Sequence, residues 1–193
     1  MINGIDFLKK MYPYFDDKCF QPDGIDLRLG KVLQIDYRFG ELYGISEEGK
    51  YLPPHTEIEP DVCRYGVGWT LEPKTPYILQ VDRPIHINKN SAQFYLPRSS
   101  LLRGGVNVIT ALGDSDFNGF LSFLCVNEAD SLFFLEKGVR FAQLIDFNVR
   151  GAGIYDGDYN IDNTDIHLDS STQLKKDDVD KMFDDIIDNR IQF

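Results

Sequence analysis

The chain has 193 residues, 42% of them hydrophobic and 13% aromatic, which is enough for one domain with a true core. A formal net charge of -11 sets up a field that repels nucleic-acid backbones, so a DNA or RNA polymer is not the expected partner. No stretch approaches the length of a membrane span and no basic-then-apolar leader opens the sequence. Three widely spaced cysteines, Cys19, Cys63 and Cys125, make no disulfide framework, so a cytoplasmic protein is expected.

Residues 3 to 15 read as a helix: Ile5, Leu8, Met11 or Tyr12, and Phe15 recur at near-helical spacing, with Lys9 and Lys10 opposite and Pro13 weakening the last turn. From Cys19 to Ile154 the pattern changes to short apolar runs broken by Gly, Pro, Asn and Asp. The expected strands are Gly24–Leu29, Val32–Tyr37, Gly68–Leu71, Tyr77–Val81, Ala92–Leu96, Asn107–Ala111, Leu121–Val126, Leu132–Leu135 and Arg140–Phe147. With no long helical crossover between them, they predict an all-β barrel or sandwich. Residues 1–160 then form one β domain with an N-terminal helix, and residues 161–193 an acidic tail. In that tail Val179, Met182, Phe183, Ile186 and Ile187 make the apolar stripe of an amphipathic helix.

Three polar clusters punctuate the stretch from Tyr95 to Phe147. In the first, Pro97 ends a strand and Arg98 opens a turn with Ser99 and Ser100. A guanidinium fork and two hydroxyls suit phosphate oxygens, and Arg103 is near enough in sequence to serve the same anion. In the second, Gly113-Asp114-Ser115-Asp116-Phe117-Asn118-Gly119, Asp114 or Asp116 either activates water beside a phosphate, contacts a hydrated magnesium ion, or only shapes the turn. Phe117 is either a flat surface for a sugar or base, or a core residue. The third cluster, Gly138-Val139-Arg140, enters a strand in which alternation places Arg140, Ala142 and Leu144 on one face and Phe141, Gln143 and Ile145 on the other. Gln143 among apolar neighbours serves either internal hydrogen bonding or a ligand.

Taken in order, the clusters resemble the motifs of the trimeric dUTPase and dCTP deaminase superfamily over roughly residues 20 to 160, with Gln21-Pro22-Asp23-Gly24-Ile25-Asp26-Leu27-Arg28-Leu29-Gly30 similar to its first motif. The resemblance implies a β-clip, jelly-roll-like distorted barrel with short terminal helices, assembled as a homotrimer with shared sites. It also implies Mg2+ as cofactor and a deoxyuridine nucleotide as ligand. Asp114 would be the general base for water attacking the α-phosphorus of dUTP, giving dUMP and pyrophosphate. Ser99 and Ser100 would contact the phosphates, Arg98 would counter their charge, Phe117 would meet the deoxyribose and Gln143 the nucleotide. Asp26 would support the metal or phosphate region indirectly. Tyr155 and Tyr159, in Tyr155-Asp156-Gly157-Asp158-Tyr159-Asn160, are similar to a ligand-binding element of the deaminase branch, with Asp158 in place of its lysine.

The deaminase branch places a glutamate on the strand after the third motif. Here Gly119-Phe120-Leu121-Ser122-Phe123-Leu124-Cys125-Val126-Asn127 puts Leu124 at that position, and leucine moves no proton. The resemblance thus implies a dUTP diphosphatase on a deaminase-like scaffold. The alternatives are a dCTP deaminase with an unusual acid/base group, a bifunctional enzyme, or a silent nucleotide-binding regulator, for which Asp158 in place of the lysine and Asn118 in place of the usual arginine speak. A zinc deaminase is not expected: His55-Thr56-Glu57 gives an H-x-E element, but no P-C-x-x-C accompanies it.

Overall fold

A computed structural model describes residues 1–47 and 49–156. The expected domain boundary at residue 160, Tyr159 and the amphipathic stripe of the tail lie outside the described residues.

Helix α1 spans Ile5–Met11 and buries Leu8. It is shorter than expected because Tyr12 already leaves helical geometry (φ -125°, ψ 56°) ahead of Pro13. A single 3-10 turn, Asp17–Cys19, leads into β1 (Phe20–Gln21) and the long strand β2 (Gly24–Ile35). Then come a small hairpin, β3 (Gly44–Ser46) and β4 (Gly49–Tyr51), and β5 (His55–Ile58), β6 (Asp61–Cys63), β7 (Gly66–Leu71) and β8 (Pro76–Val81). After β9 (Ile85–His86) and β10 (Ser91–Pro97) comes a second short helix, α2 (Ser99–Arg103). The described elements end with β11 (Val106–Ile109), β12 (Asn118–Gly119), β13 (Ser122–Asn127), β14 (Phe133–Glu136) and β15 (Arg140–Asn148).

The two strands expected at Gly24–Leu29 and Val32–Tyr37 are one. Gly30 is not a breaker: a Cβ there would stand 2.6 Å from the Asp82 Cα, so glycine lets β2 pass close against the end of β8, where the register shifts between Leu29 and Lys31. β2 consequently turns a corner. Its first half pairs with β15 and its second half with β8 and β5.

The main sheet runs β10-β15-β2-β8-β13-β11. Its two edges approach each other, because the chain leaving β11 returns to β10. Thr110 Oγ1 donates to the Tyr95 carbonyl at 2.7 Å, and Gly113 bridges Gln93. The result is a nearly closed, barrel-like sheet filled by Ile25, Leu27, Leu29, Leu79, Val81, Phe123, Phe141 and Leu144, all buried, with Leu8 and Tyr12 of the N-terminal segment in the same core. The all-β expectation holds. Among the described residues no helix is long and apolar enough to cross a membrane.

Candidate active site

The site is built from two poles at opposite ends of β10. The first pole centres on Asp26. This residue stands on β2 directly opposite Gln143 of β15, which in turn faces Leu96 of β10. Its carboxylate is fully buried, and both oxygens are engaged: Arg98 Nη1 donates to Oδ1 at 2.6 Å and Arg140 Nη1 to Oδ2 at 2.9 Å. A buried carboxylate is tolerable only with such charged donors. In return it fixes two long, otherwise mobile side chains, each still partly open to solvent.

Arg98 is placed by its own backbone, whose N–H bonds the Phe141 carbonyl at 3.0 Å. Pro97 still pairs with Ala142, and the expected turn after it is helix α2, with Ser99 and Ser100 exposed in its first turn and Arg103 exposed at its end. Two fixed guanidiniums around one carboxylate leave a local positive excess and unused N–H groups beside two hydroxyls. That set can hold an anion despite the acidic chain.

Arg140 was not singled out for this pole by sequence, and the reason is geometric. Strict alternation puts it on the Ala142 face, away from Gln143 and its partner Asp26. The strand has a bulge between Arg140 and Ala142, where Arg140 faces Arg28 and Ala142 faces Leu27. The extra residue buries both Phe141 and Ala142 and frees Arg140 to reach Asp26. The available signal was its place after Gly138, a position of positive φ (78°) at the entry to the strand. Arg28, opposite Arg140, turns elsewhere: its Nε donates to Cys19 Sγ at 3.3 Å and its Nη1 to the Gly138 carbonyl at 3.1 Å.

The second pole is the turn that carries Asp114. Gly113 exchanges two backbone hydrogen bonds with Gln93, at 2.8 and 2.9 Å, and the Phe117 N–H closes the turn on the Asp114 carbonyl at 3.2 Å. Asp116 takes the left-handed conformation (φ 67°), which aspartate tolerates better than most residues. It pairs loosely with Lys89 at 3.8 Å, so of the two aspartates it is the turn former. Ser115 is buried, with its hydroxyl donating to the Ser91 carbonyl at 2.6 Å, whereas Asp114 is exposed. Phe117 is a core residue in this chain, only 8% exposed, and Tyr155 meets it edge-on with ring centroids 5.5 Å apart. The Tyr155 N–H bonds the Ser115 carbonyl at 3.0 Å, which ties the C-terminal segment to the same turn. Of the two readings of Phe117, the structure gives the core residue, with Tyr155 packed edge-on against its ring.

Beneath this turn lies a buried polar network that sequence reading missed. Tyr95 donates to Gln93 Oε1 at 2.8 Å, and Gln93 Nε2 donates to Tyr12 Oη at 2.5 Å and to Asp146 Oδ2 at 3.2 Å. Tyr12 donates to the same Asp146 oxygen at 3.1 Å, and Asn3 Nδ2 reaches Asp146 Oδ1 at 2.6 Å. Burial, then the charges of Asp146 and Asp114, push the Tyr95 hydroxyl well above the usual phenol range, so it stays a donor. These partners are up to 143 residues apart in sequence, which is why no local pattern announced them.

One chain does not bring the two poles together. Gly113 faces Gln93, and Arg98 follows five residues later, about 16 Å along an extended strand. Arg98, Ser99, Ser100, Gln143, Asp26 and Arg140 belong to one pole; Asp114, Phe117 and Tyr155 belong to the other; Arg103 lies exposed at the end of α2. On β13, Leu124 is half-buried between Ile78 and Ile109 of the neighbouring strands, an aliphatic setting with no carboxylate on the strand.

An all-β barrel with these four motifs in order is the architecture of the dUTPase and dCTP deaminase superfamily, as the sequence resemblance implied. The dUTPase family model matches residues 67–166. The probable deoxyuridine 5'-triphosphate nucleotidohydrolase of Methanothermobacter thermautotrophicus is 42% identical over 159 residues, covering 82% of this chain and 99% of that protein. Its counterpart from Methanopyrus kandleri is 38% identical with the same coverage. The chain belongs to the dUTPase family. The crystal structure of 2'-deoxycytidine 5'-triphosphate deaminase from Agrobacterium tumefaciens shares the fold, with a TM-score of 0.56 and 16% identity over 75% of this chain and 47% of that one.

Proposed function

We propose that this chain hydrolyses dUTP to dUMP and pyrophosphate. The observation that carries the reading is the pair of arginines, Arg98 and Arg140, locked onto the buried Asp26 beside Ser99 and Ser100. It supplies fixed cationic donors for a polyphosphate in a chain whose relatives are named for dUTP hydrolysis. Arg98, Arg140 and Arg103 hold the charge of the triphosphate, the two serines donate to its oxygens, and Gln143 faces the nucleotide. Asp114 takes a proton from water, the water oxygen bonds to the α-phosphorus, and pyrophosphate leaves with the electrons of the broken P–O bond. The Phe117–Tyr155 pair borders the sugar.

The separation of the two poles supports a site shared between copies, with Asp114 of one chain serving the arginine pole of another. A homotrimer is the assembly proposed. The outer faces of β10 and β15 suit such contact: Phe94 and Leu96 are exposed, and Phe94 stacks on Phe147 at 4.9 Å.

Magnesium belongs to the reading as a companion of the substrate. Among the described residues no group of three or more His, Cys, Asp or Glu side chains is placed to hold a metal ion. Asp26, the expected indirect supporter, has both oxygens committed to guanidinium groups, so it serves the phosphate region by holding the arginines. Bound magnesium would sit on triphosphate oxygens and neutralise part of their charge, as it commonly does with nucleotides. All three cysteines are free thiols, which suits the reducing cytoplasm proposed as the setting.

Products test the reading. Purified protein with magnesium and dUTP, dCTP or dTTP is expected to release pyrophosphate from dUTP and no ammonia from dCTP. Ammonia from dCTP, or no pyrophosphate from dUTP, would overturn it. The aliphatic surroundings of Leu124 are the reason deamination is not expected.

A further inference from the structure

The exposed Asp114 stands on a backbone whose position is set from underneath. Gly113, the residue before it, is held laterally by its two hydrogen bonds to the Gln93 backbone. It is held from below by the Tyr95 hydroxyl: a Cβ at Gly113 would run into that oxygen, with the Tyr95 Cζ at 3.0 Å and the Ile87 Cδ1 at 2.8 Å also in the way. The same hydroxyl donates to the Gln93 side chain, so one group touches both partners of the Gln93–Gly113 bridge. Gln93 is in turn locked by Tyr12 and by the buried Asp146, whose hydrogen-bond donors, Asn3, Tyr12 and Gln93, are all neutral side chains. A network whose donors all run in one direction, from Tyr95 through Gln93 to Asp146, has one low-energy arrangement and resists displacement.

We propose that Tyr95 is a positioning residue for the catalytic turn, setting the height of Asp114 through Gly113 while Gln93 and Asp146 hold Tyr95 in place. The inference rests on Asp114 acting as the base. Tyr95 touches no substrate. Its effect is on the alignment of the attacking water, for which an error near 1 Å costs up to about a hundredfold in rate.

The test is steady-state dUTP hydrolysis by Tyr95→Phe, Gly113→Ala and the double variant, with Tyr77→Phe as the control. Tyr77 is also a buried tyrosine, but its hydroxyl accepts from the Glu72 amide. Wild-type pyrophosphate release is measured first, and its absence would indict the proposed function rather than this inference. Tyr95→Phe is expected to lower kcat about tenfold while leaving KM and the affinity for a non-hydrolysable dUTP analogue within about twofold. Tyr77→Phe is expected to keep kcat within about twofold. Gly113→Ala also lowers kcat. Removing the hydroxyl in its background relieves the closest of the three clashes, so the double variant is expected to exceed Gly113→Ala by about threefold, a non-additivity that direct contact requires. A Tyr95→Phe enzyme with wild-type kcat would overturn the proposal, as would an unchanged kcat in Gly113→Ala. Equal effects of Tyr95→Phe in both backgrounds would overturn it too. Should Tyr95→Phe fail to fold, an unchanged kcat in Gly113→Ala still overturns the proposal.

Discussion

Asp114→Asn is expected to lower pyrophosphate release from dUTP by about 10²–10⁴-fold, the range a positioned general base contributes. Asparagine keeps the size of the side chain and its hydrogen-bonding reach but cannot accept the proton of the attacking water. The turn should survive, because its backbone is held by Gln93, by the Phe117 N–H and by the buried Ser115, none of which needs the carboxylate. Binding of the nucleotide should survive as well, because the phosphate donors sit at the other pole. Rapid-quench measurement of pyrophosphate, paired with calorimetric binding of a non-hydrolysable analogue, separates the two effects. Near-normal turnover in Asp114→Asn would remove this residue as the base and leave Asp116 as the next carboxylate to consider. Asp116 is the weaker candidate, since its left-handed backbone and its pairing with Lys89 already give it a structural task.

Asp26→Ala should act in the opposite way, on binding and stability more than on chemistry. The fully buried carboxylate is the common anchor of Arg98 and Arg140. Without it both guanidiniums lose a charged partner and swing freely into solvent. Hydrogen bonds to charged groups contribute about 1.5–3 kcal/mol each, so losing the alignment of these donors toward the triphosphate should raise KM for dUTP by about 10- to 100-fold. Breaking a fully buried ion pair costs about 3–5 kcal/mol. Arg98 and Arg140 keep 32% and 41% of their side chains exposed, so the stability loss should fall below that figure. Steady-state kinetics and urea midpoints, measured on the same preparation, give both numbers. An Asp26→Ala enzyme with unchanged KM would show that the arginines need no such anchor.

The large-scale features were legible because their signals are local. Alternating apolar runs cut by Gly, Pro and Asp marked most of the main-sheet strands, and the polar clusters at Arg98, Asp114 and Gly138 marked what lies between them. Sequence divides β2 in two because Gly30 looks like a breaker, whereas the fold uses it for a close approach to Asp82. Counting by twos puts Arg140 on the opposite face because it cannot see a bulge. The strip Ser99–Arg103 was expected as a turn because five residues are too few to show helical periodicity. Short strands such as β5 and β6 carry exposed or half-exposed side chains, so no alternation betrayed them. The network under Gly113 was out of reach for another reason: Asn3, Tyr12, Gln93 and Asp146 meet only after the barrel has formed.

The most direct test mixes two impaired proteins, assayed at a dUTP concentration well below the raised KM of the arginine variant. Asp114→Asn retains the arginine pole and lacks the base; Arg98→Ala retains the base and lacks part of the arginine pole. Denaturing the two together and refolding them should regenerate dUTP hydrolysis at about one site in four by random pairing of copies, if a site takes its poles from different chains. No recovery from the co-refolded mixture, with each parent folded and assembled normally, would mean that a single chain holds the whole site and would contradict the account.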